Sequence, residues 1–405
     1  MQDNTSRQLT GVDIGTSKAR VVVGNQNDKG ELVITGVGEA LISGMRKGVV
    51  VNLNGPAKAI DEALGKAERM SGVEINQATI NINGPSILST NANGMIAIGD
   101  VNQEVSNDDL SRIEEVATVG KIPANREVLS VVAHDYILDG QSGIKDPLGM
   151  TGARLEINAN VISVLIPHLQ NLRKTAQMAG LVANDTIVSV VAGSQAVLTE
   201  SEQENGVAII DLGASTTGIA IYEEGDLKYV SIIPVGAHNI TNDLAIGLQT
   251  SPEIAEEVKI DHGSAIFSDQ DKKITIKVDK QVYEFNLREI DEIIEARLEE
   301  IFKEVEKRLQ KAGYAGKLPS GVVLIGGGAC LKGIDNYVRN ALGLATRVAK
   351  PKNIAGLSEK VESPDYAVAV GLMKMDLLSL PSTESHESNK NGLFGKISNL
   401  FKGRH

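Results

Sequence analysis

Asp13-Ile14-Gly15-Thr16-Ser17-Lys18 and Asp211-Leu212-Gly213-Ala214-Ser215-Thr216-Thr217 decide how this chain folds. Each segment opens at the end of an apolar run and leads into another. Residues 9–14 and 19–23 read as strands joined by a turn over 15–18, and residues 207–211 and 218–222 repeat the arrangement around 212–217. The segments match at Asp, Gly and Ser and lie about half a chain apart, so an internal duplication is the economical reading. A strand-turn-strand with Asp and Gly is, alone, ordinary hairpin chemistry. It also suits phosphate: Gly lets backbone N–H groups approach phosphate oxygens, and small hydroxyl residues add donors. Asp cannot bind phosphate, but it can hold Mg²⁺ through water and offset the phosphate charge. Two such turns, one per half, could grip one polyphosphate from opposite sides.

A third element has the same placement. Residues 322–325 form an apolar strand that runs into Gly326-Gly327-Gly328-Ala329. Three Gly-bearing turns, each directly after an apolar strand, point to a nucleotide. Neither a P-loop with Gly-Lys-Ser/Thr nor a Rossmann fingerprint occurs in the sequence.

Composition bounds the alternatives. A chain of 405 residues exceeds what one core usually serves, so at least two domains are expected. A net charge of -12, with aromatics at 3% and no Trp, argues against a nucleic-acid partner. One cysteine, Cys330, allows no internal disulfide and fits a reducing compartment; its place after an apolar strand reads as buried packing. His134, His168, His238 and His262 show no ligand spacing. The polar start of the chain does not read as a signal peptide, and no run of about eighteen apolar residues exists to span a membrane.

Further elements follow from periodicity and punctuation. Residues 56–71 read as a helix with Pro56 in its first turn and Gly72 as its stop. A polar helix is expected over 107–118 and another over 171–179. Residues 287–312 form a long helix, in which Leu287, Ile290, Ile294, Leu298, Ile301, Val305 and Leu309 keep helical spacing. Asn286 and Glu289 resemble a capping pair for it, and Gly313 ends it. Residues 366–377 form a last core helix.

The three turns resemble those of the actin/hexokinase/chaperone ATPase superfamily, and finer motifs narrow the likeness. Ala255-Glu256-Glu257-Val258-Lys259 with His262-Gly263 is similar to a nucleoside-binding segment of the FtsA family of bacterial cell-division proteins. His134, Tyr136 to Gly140, Asp146 to Met150, Gly152 and Arg154-Leu155-Glu156 follow that family's extra subdomain, which actin and MreB lack. The resemblance covers residues 10–377, nearly the whole globular part. It implies an α/β, actin-like fold of two duplicated halves with an inserted FtsA-type subdomain and a C-terminal amphipathic helix. The implied partition is 1–83 with 163–197 (first half), 84–162 (insert), 198–228 with 304–378 (second half), 229–303 (partner-binding subdomain), 379–391 (linker) and 392–405 (membrane helix).

The resemblance also implies ligands and roles. ATP with Mg²⁺ would lie between the halves, with Asp13 and Asp211 orienting the metal through water. Gly15, Thr16, Ser17 and Lys18 would bind inner phosphates. Gly213, Ala214, Ser215, Thr216 and Thr217 would cradle the terminal one. Glu256, Lys259, Gly326, Gly327 and Gly328 would surround the nucleoside. The second turn departs from the family's usual consecutive glycines, since Ala214 and Ser215 add side chains beside the terminal phosphate, which bears on hydrolysis. Gln195 aligns with the actin glutamine that orients the attacking water, and any turnover is expected to be slow. Arg288, Arg297 and Lys303 are candidates to meet the acidic C-terminal peptide of the division polymer FtsZ, although a solvated helix face with i,i+4 ion pairs is the better account of any single one of them. Head-to-tail filaments of the chain itself, contacts with other division proteins, and a peripheral place on the cytoplasmic side of the membrane at the division septum complete what is implied.

The tail carries its own evidence. Leu393, Phe394, Ile397, Leu400 and Phe401 occupy one helical face, and Lys396, Lys402 and Arg404 are basic, with no acid from Asn391 onward. Such a helix is roughly 20 Å long, too short to cross a bilayer, and suits burial at an anionic headgroup boundary. The polar linker before it gives reach. A PilM-like pilus adaptor would not be expected to carry this tail. A sugar or acid kinase on the same fold would need a catalytic Asp in an interdomain cleft, and no convincing one is found. A chaperone ATPase would need a long domain after the core.

Overall fold

The computed structural model describes residues 8–99, 104–267, 272–278 and 281–378. The expected linker and amphipathic tail, with Leu393, Phe394, Lys396, Ile397, Leu400, Phe401 and Lys402, lie outside the described residues. Among the described residues no helix is long and apolar enough to cross a membrane.

Two sheets repeat one plan. In the first, Gln8–Ile14 pairs antiparallel with Lys18–Gln26 and parallel with Gln77–Ile82; Val182–Val188 and Leu32–Leu41 extend it on either side. In the second, Val207–Leu212 pairs antiparallel with Thr217–Glu223 and parallel with Val322–Ile325, flanked by Asp226–Ile233 and Thr346–Val348. The central strands are buried on both faces, as continuous apolar runs require. The inserted region forms its own sheet, Leu88–Ala97, Arg154–Leu165, Arg126–Leu138 and Gln141–Ile144, with the helix Asn107–Thr118 closing a separate small core. Ser106 caps that helix reciprocally with Asp109.

The second half carries the helices Ala237–Gly247, Pro252–His262 and Leu287–Ala312 and the hairpin Lys273–Val278 with Gln281–Asn286. The long helix buries Ile290, Ile294, Leu298, Ile301, Val305 and Leu309. Asn286 accepts from the Arg288 N–H at its start, and Gly313 closes it at φ 85°.

The C-terminal end corrects the expected partition, which ran the second half to residue 378. Ile354–Gly356 instead pairs parallel with Leu32–Leu41 of the first sheet. The helix Ala367–Leu378 packs on Gln8–Ile14 and on the helix Ser189–Val197. It buries Ala367, Ala369, Val370, Leu372, Met373 and Met375, and an element apolar all round must be covered on more than one side. Gly11 allows the approach: a Cβ there would stand 2.2 Å from the Ala369 carbonyl oxygen. Asp376 locks the helix down, accepting from the Thr10 N–H at 3.1 Å and the Thr79 hydroxyl at 2.8 Å.

Candidate functional site: paired phosphate-type turns

The two turns superpose in their hydrogen bonding as well as their sequence. Ile14 pairs with Ala19 and Leu212 with Thr217. The Gly15 N–H donates to the Lys18 carbonyl at 3.1 Å, and the Gly213 N–H to the Thr216 carbonyl at 2.9 Å. Each turn thus places its Asp two residues before its Gly, at the end of a buried strand. Asp13 and Asp211 are 7% and 6% exposed. Burial pushes Asp13 up to about 6; Arg20 and a hydrogen bond from Asn81 oppose this, and Asp365 adds to it. Burial and the charge of Asp13 push Asp211 up to about 7, against Arg20. Each carboxylate is therefore held where ionisation is costly, and the two feel one another. A divalent cation would relieve that cost, so the pair fits Mg²⁺. Among the described residues no cluster of three His, Cys, Asp or Glu forms a self-sufficient metal site, which leaves other ligands to water and phosphate.

The adenosine-type turn joins them. Gly326 adopts φ 86°, and a Cβ there would lie 2.4 Å from Asp211 Oδ1. Only glycine lets this backbone lie against the carboxylate. Gly327 faces open space, with no atom within 4 Å of a Cβ built on it, whereas Gly328 packs on Leu212. Open backbone beside packed backbone suits the flat face of a nucleoside.

Several residues that sequence reasoning missed complete the site. Asn81 accepts from the Ile14 N–H at 2.6 Å and donates to Asp13 Oδ1 at 2.7 Å and Ser189 Oγ at 2.9 Å. Asn83 donates to Thr216 Oγ1 at 3.1 Å, linking the first half to the second turn. The signal available was Asn81 and Asn83 in alternation with Ile80 and Ile82, directly before Gly84. The start of the helix Ala237–Gly247 rests on the second turn: the Ala237 and His238 N–H groups donate to the Gly213 and Ala214 carbonyls. Behind it, Glu256 accepts from Lys259 at 2.7 Å and from the Thr241 hydroxyl, and Lys259 also donates to Thr241 at 2.8 Å. Burial would raise the Glu256 carboxyl, but these bonds outweigh it and hold it low.

Three expectations need correction. Thr217 is fully buried and donates to the Val235 carbonyl at 2.8 Å, so its hydroxyl supports the turn from behind. Gln195 is not brought to the turns. Ser189 begins its helix beside Asn81, while Gln195 lies six residues on, about 9 Å along the axis; its carbonyl accepts from Lys374. Cys330 is exposed, with Sγ 3.9 Å from Ser363 Oγ. The three candidate partner-site cations each meet a carboxylate: Arg288 pairs with Glu292 and Lys303 with Glu299 on the exposed helix face, and Arg297 forks on Asp243 at 2.5 and 2.9 Å, tying two helices together. Lys18 is also paired, with Glu39 at 2.6 Å.

Comparison with known proteins places the chain in a family. Residues 208–371 match the family described as cell division protein FtsA, and residues 84–163 match the SHS2 domain inserted in FtsA. The cell division protein FtsA of Pseudomonas aeruginosa is 35% identical over 377 residues, covering 92% of this chain and 90% of that protein. That of Bacillus subtilis is 35% identical over 375 residues, covering 92% and 84%. The chain belongs to the FtsA family of cell division proteins. The wider fold is actin-like, as the turns implied. The PilM–PilN type IV pilus biogenesis complex superposes with a TM-score of 0.66 at 17% identity, over 92% of this chain and 99% of that one. MreB5 of Spiroplasma citri bound to ADP gives 0.53 at 15%, over 91% and 95%. The FtsA-type insert expected over 84–162 thus corresponds to the match with the SHS2 domain inserted in FtsA.

Proposed function

We propose that this FtsA-family chain binds Mg-ATP between its paired turns and serves as a nucleotide-responsive adaptor holding FtsZ filaments to the cytoplasmic face of the membrane at the septum. The observation that carries the nucleotide reading is the buried Asp13–Asp211 pair, one carboxylate per half, beside the open backbone at Gly327. Bound Mg²⁺ would supply positive charge between these carboxylates and the phosphates. Asp13 would be held for that task by Asn81, and Asp211 by its packing on Gly326. Gly15, Thr16, Ser17, Gly213, Ala214, Ser215 and Thr216 would offer N–H and hydroxyl donors to phosphate oxygens, and Glu256 and Lys259 would bound the nucleoside. Because Asn83 bridges to Thr216, a ligand gripping both turns would also fix the halves relative to one another.

The adaptor role rests on family membership and on the tail. Residues 84–162 would serve self-association and residues 229–303 would receive the acidic FtsZ peptide. The amphipathic tail would bind anionic lipid. One short tail binds weakly, and a filament would multiply it. MamK, whose solved structure is a double helical filament, shares this fold with a TM-score of 0.51 at 13% identity, over 93% of this chain and 100% of that one.

The test pellets the purified chain with anionic vesicles, with and without Mg-ATP and the FtsZ C-terminal peptide, alongside Asp211→Ala. Mg-dependent ATP affinity should fall in the variant. Unchanged affinity would remove Asp211 from the site, and failure of the parent to recruit the peptide to vesicles would remove the tether.

A further inference from the structure

Two cations stand beside the first turn, and they are held very differently. Lys18 Nζ lies 2.6 Å from Glu39 Oε1, its one carboxylate partner among the described residues. Arg20 Nε takes the other oxygen of Glu39 at 3.1 Å, and its Nη2 donates to Asp365 Oδ2 at 2.5 Å. The Arg20 guanidinium also lies 5.1 Å from the centre of the Tyr366 ring and faces Asp13 across the strand pair. The Lys18 side chain is 36% exposed and that of Arg20 13%. An ammonium on a flexible stem, open to water and held by one carboxylate, changes partners at little cost. A guanidinium forked between two carboxylates and covered by a ring does not. Lys18 is therefore the exchangeable cation.

Glu39 is fixed. It lies in Leu32–Leu41, where Gly38 lets the helix Asn54–Ser71 come so near that a Cβ would stand 1.9 Å from the Ala63 carbonyl oxygen. Lys66 of that helix donates to the Glu39 carbonyl at 2.7 Å. Tyr366 OH lies 3.5 Å from Glu39 Oε2. Arg20 and Tyr366 hold the carboxylate back, so a move of the ammonium toward a ligand separates this pair.

We propose that Glu39 is a positioning residue of the phosphate site. It holds Lys18 beside the first turn and yields it to the phosphates of a nucleoside triphosphate, while keeping Arg20. The proposal rests on the nucleotide reading above. A polyphosphate presents several negative oxygens where Glu39 presents one, so the exchange favours phosphate once a ligand reaches both turns. Glu39 also competes with the ligand it serves: ATP affinity is set by the difference between the two partners of Lys18. The segment Pro364–Tyr366 connects this cluster to the nucleoside side, because the Gly326 N–H donates to the Pro364 carbonyl at 2.9 Å.

The experiment titrates Mg-ATP into the full chain and into Glu39→Gln, Lys18→Ala and the double variant, with a thermal melt of each nucleotide-free protein. Glu39→Gln should tighten ATP binding about two- to fivefold, the worth of a half-exposed ion pair. In the Lys18→Ala background the same change should produce no shift, because the competing pair is already gone. Glu39→Asp keeps the charge but withdraws it by one methylene, so it should also tighten binding; it carries the test if Glu39→Gln does not fold. Equal shifts in both backgrounds would mean general repulsion between carboxylate and phosphate, and would overturn the role of Glu39 alone. Weaker binding in both Glu39 variants would overturn it too. If the parent binds no ATP, the nucleotide reading falls and takes this proposal with it.

Discussion

Replacing Asp211 by Asn should stabilise the nucleotide-free protein by an amount that grows with pH. Burial and the neighbouring charge of Asp13 lift the Asp211 carboxyl from 3.8 to about 7. In the unfolded chain the same group titrates as an ordinary carboxylate. The folded state therefore keeps a proton that the unfolded state has already released. The contribution to stability is fully present below about pH 4 and is lost as pH rises through about 7. The gap of about three units, at about 1.4 kcal/mol each, gives about 4 kcal/mol by about pH 8. Asn has nearly the same shape and no charge to bury, so it escapes this cost. Unfolding of parent and variant should be followed by melting or urea between about pH 5 and 8.5, in chelator and without nucleotide. The two should converge at the acid end and separate with rising pH, the variant being the more stable. Mg²⁺ should narrow the gap by stabilising the parent. The same substitution should weaken Mg-dependent ATP binding, a gain in stability purchased with function. Parallel pH profiles, or a variant less stable throughout, would refute the assignment of Asp211 as a strained, cation-seeking carboxylate.

Gly326→Ala forces a side chain toward Asp211 Oδ1 at a positive φ, and should cost about 1–3 kcal/mol of stability along with ATP affinity; equilibrium unfolding and titration check both. Arg297→Ala removes a forked ion pair with Asp243 from a side chain 23% exposed and should lower stability by about 1 kcal/mol, whereas Lys303→Ala should change it by less than about 0.5 kcal/mol. Gln195→Ala should leave any measurable ATP turnover as in the parent, since the residue stands well along its helix from Ser189 and Asn81. Replacing Phe394 and Phe401 with Glu should release the chain from anionic vesicles in co-sedimentation while ATP binding persists; undiminished pelleting would mean the tail is not the anchor.

The sequence by itself determined the local elements and the character of the site. The helix Leu287–Ala312 was legible end to end, because apolar spacing, an Asn cap and a stopping Gly are all properties of neighbouring residues. The matched turns were legible for the same reason, and they placed Asp13, Asp211 and Gly326 at strand ends before any contact was known. Family-like motifs in the insert were legible as well, since a motif is a local string. The tertiary structure decided which partners those residues meet. Thr10 and Asp376 are 366 residues apart in the chain, and nothing in either neighbourhood says that the last helix crosses back to the first sheet. Apolar periodicity states that a face must be covered but not by what. The engagement of Lys18 by Glu39, of Arg297 by Asp243 and of Asp13 by Asn81 was hidden likewise, because a charged or polar side chain looks free in a sequence until folding brings its partner within reach. Gln195 was misplaced by matching letters alone. What placed it away from the turns was the point where its helix begins, which is set by the strand Val182–Val188 docking beside Gln77–Ile82.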